Sequence, residues 1–196
     1  MGRAGILVPM ASPQPHASAA DRPLRTTAIK RHKKSFARAH PPRAELVFLL
    51  QSVDDPINVG ALFRIADACA ARELVLIGDT PAPPLPGISL TARGCERRVP
   101  WRYVRRVEDA IAELRAGGYG IVALELTGAA VLFTDYDYPE KVCLVLGSEG
   151  RGVWPKTLRL SDATVFIPMY GDGPSLNVHV AAALVAYQVM VGGPPG

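Results

Sequence analysis

Residues 142–147 read VCLVLG and break into SEGRGV at 148–153; residues 164–168 read TVFIP and break into MYGDGPS at 169–175; LNVHVAAALVAYQVMV follows at 176–191. The two short apolar runs have the length and character of buried parallel strands. The third run predicts a helix. Its alanine-rich middle suits close helix packing, and it is longer than a normal strand. Glycine-rich loops at strand ends, followed by a helix, are how an open α/β sheet forms a ligand crevice.

Working outward, ELVFLL (45–50), ELVLIG (73–78) and YGIVALEL (119–126) predict three more strands. VGALFRIADACA (59–70) and VEDAIAELRAGG (107–118) predict helices, the second with Val107, Ile111 and Leu114 on one stripe. DTPAPPLPGIS (79–89) reads as a proline-rich surface loop, and AAVLFTDYDYPE (129–140) as an irregular connection or a degenerate helix. Pro155 suits the first turn of a short helix. Five strands alternating with helices predict an α/β fold, a mostly parallel sheet with helices on both faces. Asn58 stands where the first helix would be N-capped. Gly60 implies close backbone approach, and Arg64 lies over it at i, i+4. Arg64 is either a surface residue with a snorkelling stem or part of the crevice.

The 196 residues suit one domain with surplus chain. The formal charge of +4 conceals a division. Residues 1–43 hold nine Lys/Arg against Asp21, hence +8, while residues 44–196 hold thirteen against seventeen acids, hence −4. The basic excess belongs to a tail that cannot build a core and is expected to be wholly or partly disordered in isolation. Its dense run includes Lys30, Arg31, Lys33 and Lys34, which suits contacts to the phosphates of a polyanion. Arg93, Arg97 and Arg98 open a second arginine strip, 93–106, interleaved with Trp101 and Tyr103; it reads as a nucleic-acid surface or as a plain solvated face. No apolar run reaches the ~18 residues of a membrane span. The opening MGRAGILVPMASPQ is too broken for a signal peptide. Cys69, Cys95 and Cys143 are scattered and read as reduced core thiols of a cytoplasmic protein, with no metal-site spacing.

Neither GxGxxG after the first strand nor GxxxxGK[ST] occurs, and no GxSxG elbow is present. His179 is the only histidine of residues 44–196, and a lone histidine on an apolar helix is more often packed or hydrogen-bonded than catalytic.

NVGALFRIADA, LVLGSEGRGV and IPMYGDGPSLNVHVAAALVAYQ, in this order, resemble the three signature motifs of the SPOUT superfamily, specifically its SpoU/TrmH-like RNA ribose 2′-O-methyltransferases. The resemblance runs from Glu45 to Met190 and covers the whole expected domain, 44–191, between an N-terminal extension (1–43) and a flexible end (192–196). It implies a deep C-terminal trefoil knot, S-adenosylmethionine bound at the knot without metal, and a homodimer. By the same resemblance, Asn58, Arg64, Glu149, Ser175 and Asn177 match the family's catalytic set, and Gly147, Ile167, Met169 and Leu176 its cofactor surroundings. A turn acceptor and a helix N-cap are the plain alternatives for Glu149 and Ser175. Three positions depart from the pattern: His179 replaces a usual serine, Ser148 a common asparagine, and the first helix ends DACAAR without the usual glycine. The implied substrate is tRNA or rRNA, with a lean to tRNA because the chain is minimal. A methyltransferase acting on another RNA atom, and a catalytically silent RNA-binding knot, are the alternative readings.

Overall fold

The computed structural model describes residues 23–192. The expectations for residues 1–22 and for 193–196 fall outside the described residues. The chain divides into two compact units, one ending at Pro41 and the other beginning at Pro42. In the first unit Thr26–Ala39 form helix α1, with no buried residue. Where the composition predicted partial or complete disorder, this stretch has helical backbone. Lys, Arg and Ala are good helix formers, but a helix of this length without packing is marginal in water.

The second unit carries β1 (Glu45–Gln51), α2 (Pro56–Ala68), β2 (Glu73–Ile77), α3 (Pro86–Ala92), β3 (Trp101–Val104), α4 (Val107–Ala116), β4 (Gly120–Leu124), β5 (Val131–Leu132), β6 (Lys141–Leu146), α5 (Pro155–Leu160), β7 (Ala163–Phe166) and α6 (Val178–Val191). The sheet order is β3-β2-β1-β6-β4-β7-β5, and every pairing is parallel. Parallel strands need helical crossovers, which cover both faces and make central strands apolar throughout. Accordingly Leu46, Phe48 and Leu50 of β1 point into one core with α2, α3 and α6, while Val47 and Leu49 join α4 and α5 in the other.

Two strands and one helix were absent from the sequence reading. β3 lies within the arginine strip. It is a sheet edge, where Arg102 pairs with Glu73 at 3.1 Å and with Glu113 at 2.7 Å, so its arginines hide the usual strand pattern. β5 has two residues, in place of the irregular connection or degenerate helix. α3 occupies the end of the proline-rich loop, with Pro86 in its first turn, where a missing amide hydrogen costs nothing. Arg43, counted with the tail on composition, belongs to the second unit: it donates to Asp137 at 2.8 Å and to the Gly192 carbonyl at 3.0 Å.

Candidate active site

Because all strands are parallel, their C-terminal ends share one edge. β1 leads to β2 and β3 in one direction, whereas β6 and then β4 lie on its other side. A crevice forms at such a reversal of strand order. The segments leaving β1 and β6 flank it, and α6 packs against α2, β1 and β6.

α2 begins three residues earlier than an Asn58 cap would require. Asp55 is the N-cap: its carboxylate accepts from the Ile57 amide at 2.8 Å, and Pro56 opens the helix. Asn58 is therefore inside the first turn, 4% exposed, and its side chain is free for other contacts. Its Nδ2 donates to Glu149 Oε1 in a short hydrogen bond. Its Oδ1 lies 2.8 Å from His179 Nδ1. A carboxylate only accepts, so Glu149 fixes the orientation of the amide, and His179 must be the donor. Residues 91 and 121 positions away along the chain thus meet on one carboxamide.

Asn177 caps α6 by accepting from the His179 amide at 3.1 Å, so the capping alternative for Ser175 belongs to Asn177 instead. Ser175 is exposed two residues ahead of the cap. Arg64 is exposed on α2. With Ala61, Ile65, Ala68, His179 and Tyr187 it lines a cavity of about 330 Å³. The site therefore consists of Asn58, Glu149 and His179 joined by hydrogen bonds, with Arg64 sharing a cavity wall with His179. His179 and Tyr187 entered no site assignment from the sequence. Being the lone histidine at a motif departure was the available signal for the first; Tyr187 carried none.

The loop after β6 folds back on itself. A Cβ on Gly147 would lie 2.1 Å from the Gly152 carbonyl carbon, and Ser148 pairs with Gly152 across the turn. Glu125, at the end of neighbouring β4, accepts from the Val153 amide at 2.8 Å and holds this loop in place. On the far side of β4, the segment after β7 presents Ile167 half-buried, with Met169 and Leu176 41% and 36% exposed. Two glycines of that segment, Gly171 and Gly173, have open space around them. A held backbone turn opposite exposed apolar side chains fits an adenosine-bearing cofactor, which takes an apolar enclosure for its ring and backbone groups for its edge.

Among the proposed RNA contacts, Arg98 is already engaged in a forked pair with Asp67 at 3.0 and 3.1 Å. Arg97 is 81% exposed, with Glu96 only at 4.0 Å, and Arg93 is exposed in a left-handed turn. Lys30, Arg31, Lys33 and Lys34 are exposed on α1. Burial first, then Asp67, pushes the Cys95 thiol up, against the opposing influence of Arg98 and Arg64.

Residues 45–187 match the model of the SpoU rRNA Methylase family. The chain is 33% identical over 165 residues to the tRNA (guanosine(18)-2′-O)-methyltransferase of Escherichia coli K12, covering 84% of this chain and 70% of that one. It is 34% identical over 160 residues to the 23S rRNA (guanosine(2553)-2′-O)-methyltransferase RlmP of Bacillus subtilis, covering 78% and 63%. A crystal structure of an AdoMet-bound rRNA methyltransferase from Sinorhizobium meliloti superposes with a TM-score of 0.71 at 30% identity, over 76% of this chain and 57% of that one.

Proposed function

The chain belongs to the SpoU rRNA methylase family, and from that premise we propose that it transfers a methyl group from S-adenosylmethionine to a ribose 2′-oxygen of tRNA or rRNA. The observation that carries this reading is the meeting of Asn58 and Glu149 on one hydrogen-bonded line, with Arg64 on the adjoining cavity wall. S-adenosylmethionine would supply an electrophilic methyl group. Gly147, Ile167, Met169 and Leu176 would hold it across the end of β4. The protein's task is then alignment of the hydroxyl and assistance to its deprotonation. Arg64 is a permanent cation and suits the phosphate beside the ribose. Asn58 and Glu149 hold the geometry of the crevice, and Asn177 sets the start of α6, with Ser175 exposed two residues before it.

Three finer readings accompany this one. The C-terminal chain closes a trefoil knot: β7 pairs with β4, yet α6 returns to pack on α2, β1 and β6, and this crossing supports the threading. The protein works as a homodimer through α6, whose outward face carries Val180, Leu184, Tyr187 and Val191 in exposed succession. It acts in the cytoplasm, in keeping with three free cysteines and with no described helix long and apolar enough to cross a membrane. Metal plays no part in this reading.

The test combines calorimetry with product analysis. S-adenosylmethionine should bind in EDTA with a micromolar constant, roughly −8 kcal/mol. Methylated RNA should yield an alkali-resistant dinucleotide, the mark of a blocked 2′-oxygen. Arg64→Ala should lower the single-turnover rate by about two orders of magnitude or more and leave cofactor affinity nearly unchanged. An alkali-labile product would move the reaction to a base atom, and cofactor binding without any transfer would favour a silent RNA-binding knot.

A further inference from the structure

We propose that His179 accepts the 2′-hydroxyl proton of a ribose seated in the cavity between α2 and α6. The inference rests on the methyl-transfer reading above and deepens it by assigning the proton.

The tautomer comes first. Glu149 takes the Asn58 amide hydrogen, so Asn58 presents its oxygen to His179 Nδ1 at 2.8 Å. Nδ1 therefore carries the hydrogen, and a neutral ring keeps a free lone pair on Nε2. Orientation follows from burial. Asn58 is 4% exposed, so the half-buried imidazole turns Nδ1 inward. With Nδ1 committed to Asn58, Nε2 is the ring nitrogen left over, and His179 is among the residues that line the cavity.

The cavity wall then limits which group can act. Its lining side chains are Ala61, Arg64, Ile65, Ala68, His179 and Tyr187. Arginine keeps its proton, the phenol of Tyr187 is a weak acceptor, and the rest are apolar. The neutral imidazole of His179 is the one uncharged nitrogen base among them. A guanidinium that shares a cavity wall with an imidazole acceptor matches a phosphate next to a hydroxyl. The cavity, about 330 Å³, is open to solvent on the side of the exposed Arg64, Ala68 and Tyr187. The charged or titratable groups facing the ring are Arg64 from α2, Glu149 through Asn58 from the β6–α5 loop, and Tyr187 from α6 itself.

The step balances without another reagent. As the ribose oxygen forms its bond to the methyl carbon, the carbon–sulfur bond breaks and leaves its electron pair on sulfur. The hydroxyl proton passes to Nε2. The imidazolium so formed donates through Nδ1 to Asn58, whose amide is polarised by the Glu149 carboxylate, and later releases its proton to water. An oriented base held by a second group and a carboxylate is a recurring catalytic arrangement.

His179→Asn separates this role from packing, because its amide nitrogen can replace Nδ1 as donor to Asn58 but has nothing at Nε2. In the full-length protein it should keep the melting temperature and bind S-adenosylmethionine within about twofold of wild type. Its single-turnover rate should fall about 10²- to 10⁴-fold. The variant's pH–rate profile should lack the acidic limb of the wild-type profile. A rate within about threefold of wild type, or an unchanged acidic limb, overturns the assignment. A second measurement needs no turnover. ¹⁵N-histidine spectra of wild type, assigned by difference from His179→Asn, should show the Nδ1–H tautomer. Guanosine 3′-monophosphate should shift the Nε2 resonance, and its 2′-deoxy analogue should not. An Nε2–H tautomer, or equal response to both nucleotides, overturns the proposal. A wild type that transfers no methyl group sinks the methyl-transfer reading instead, and the spectra still decide the ribose contact.

Discussion

A Cβ built on Gly60 would lie 2.1 Å from Thr91 Oγ1 and 2.4 Å from the Ile88 carbonyl oxygen. Thr91 in turn donates to the Ile57 carbonyl at 2.9 Å, so α3 is seated directly on the first turn of α2. The hydroxyl can rotate away from an added methyl; the backbone carbonyl cannot. Gly60→Ala should therefore destabilise the protein by about 1–3 kcal/mol, despite alanine's better helix propensity. Urea unfolding should show a lower midpoint at unchanged slope, and an unchanged midpoint would show that the helices can part freely. Among single residues the sequence was legible where the signal was local. Glycine in a first turn announces close approach whatever its partner is. Asn58 was not legible in the same way, because a cap and a cross-chain bridge use the same residue type. Only the position of Asp55 and the partners far along the chain separate the two.

α6 has two faces of similar character. Ala182, Val185, Ala186 and Val189 are buried, while Val180, Leu184, Tyr187 and Val191 remain exposed at steps of four, three and four. A helix apolar all round is ordinarily buried all round. If a second copy covers this stripe, Leu184→Glu would put an unpaired carboxylate in the contact. The variant should sediment as a monomer at concentrations where wild type is a dimer, with association weakened at least about a hundredfold, or roughly 2.7 kcal/mol. Wild type that sediments as a monomer throughout would leave the stripe without this occupant. The same element shows what periodicity reveals: its helical state and its excess of apolar surface are both visible in LNVHVAAALVAYQVMV. β3 shows the converse. WRYV carries an arginine that pairs with carboxylates of β2 and α4, so an edge strand looks like a basic patch until its neighbours are known.

Across the full chain, charge is unevenly shared between the two units. Residues 1–41 hold eight of the nine basic residues assigned to the tail, whereas Arg43 is tied to Asp137 in the second unit. Removing residues 1–41 should weaken RNA binding and flatten its salt dependence, by about 0.7–0.9 in log–log slope for each phosphate no longer neutralised. Cofactor affinity should be unchanged. Filter binding over a range of salt, set beside calorimetry, measures both, and an unaltered slope would place the affinity in the second unit alone. The layered sheet was legible from alternating apolar runs, but its strand order was not, since that order depends on contacts between distant segments. It has a consequence in time. β6 sits between β1 and β4, although it is the sixth strand to be made. A nascent chain therefore carries a gap in the middle of its sheet, with open edges on β1 and β4, until Lys141–Leu146 leaves the ribosome. Because Glu149 and His179 follow that strand, the site cannot assemble until they too have emerged and the gap has been filled.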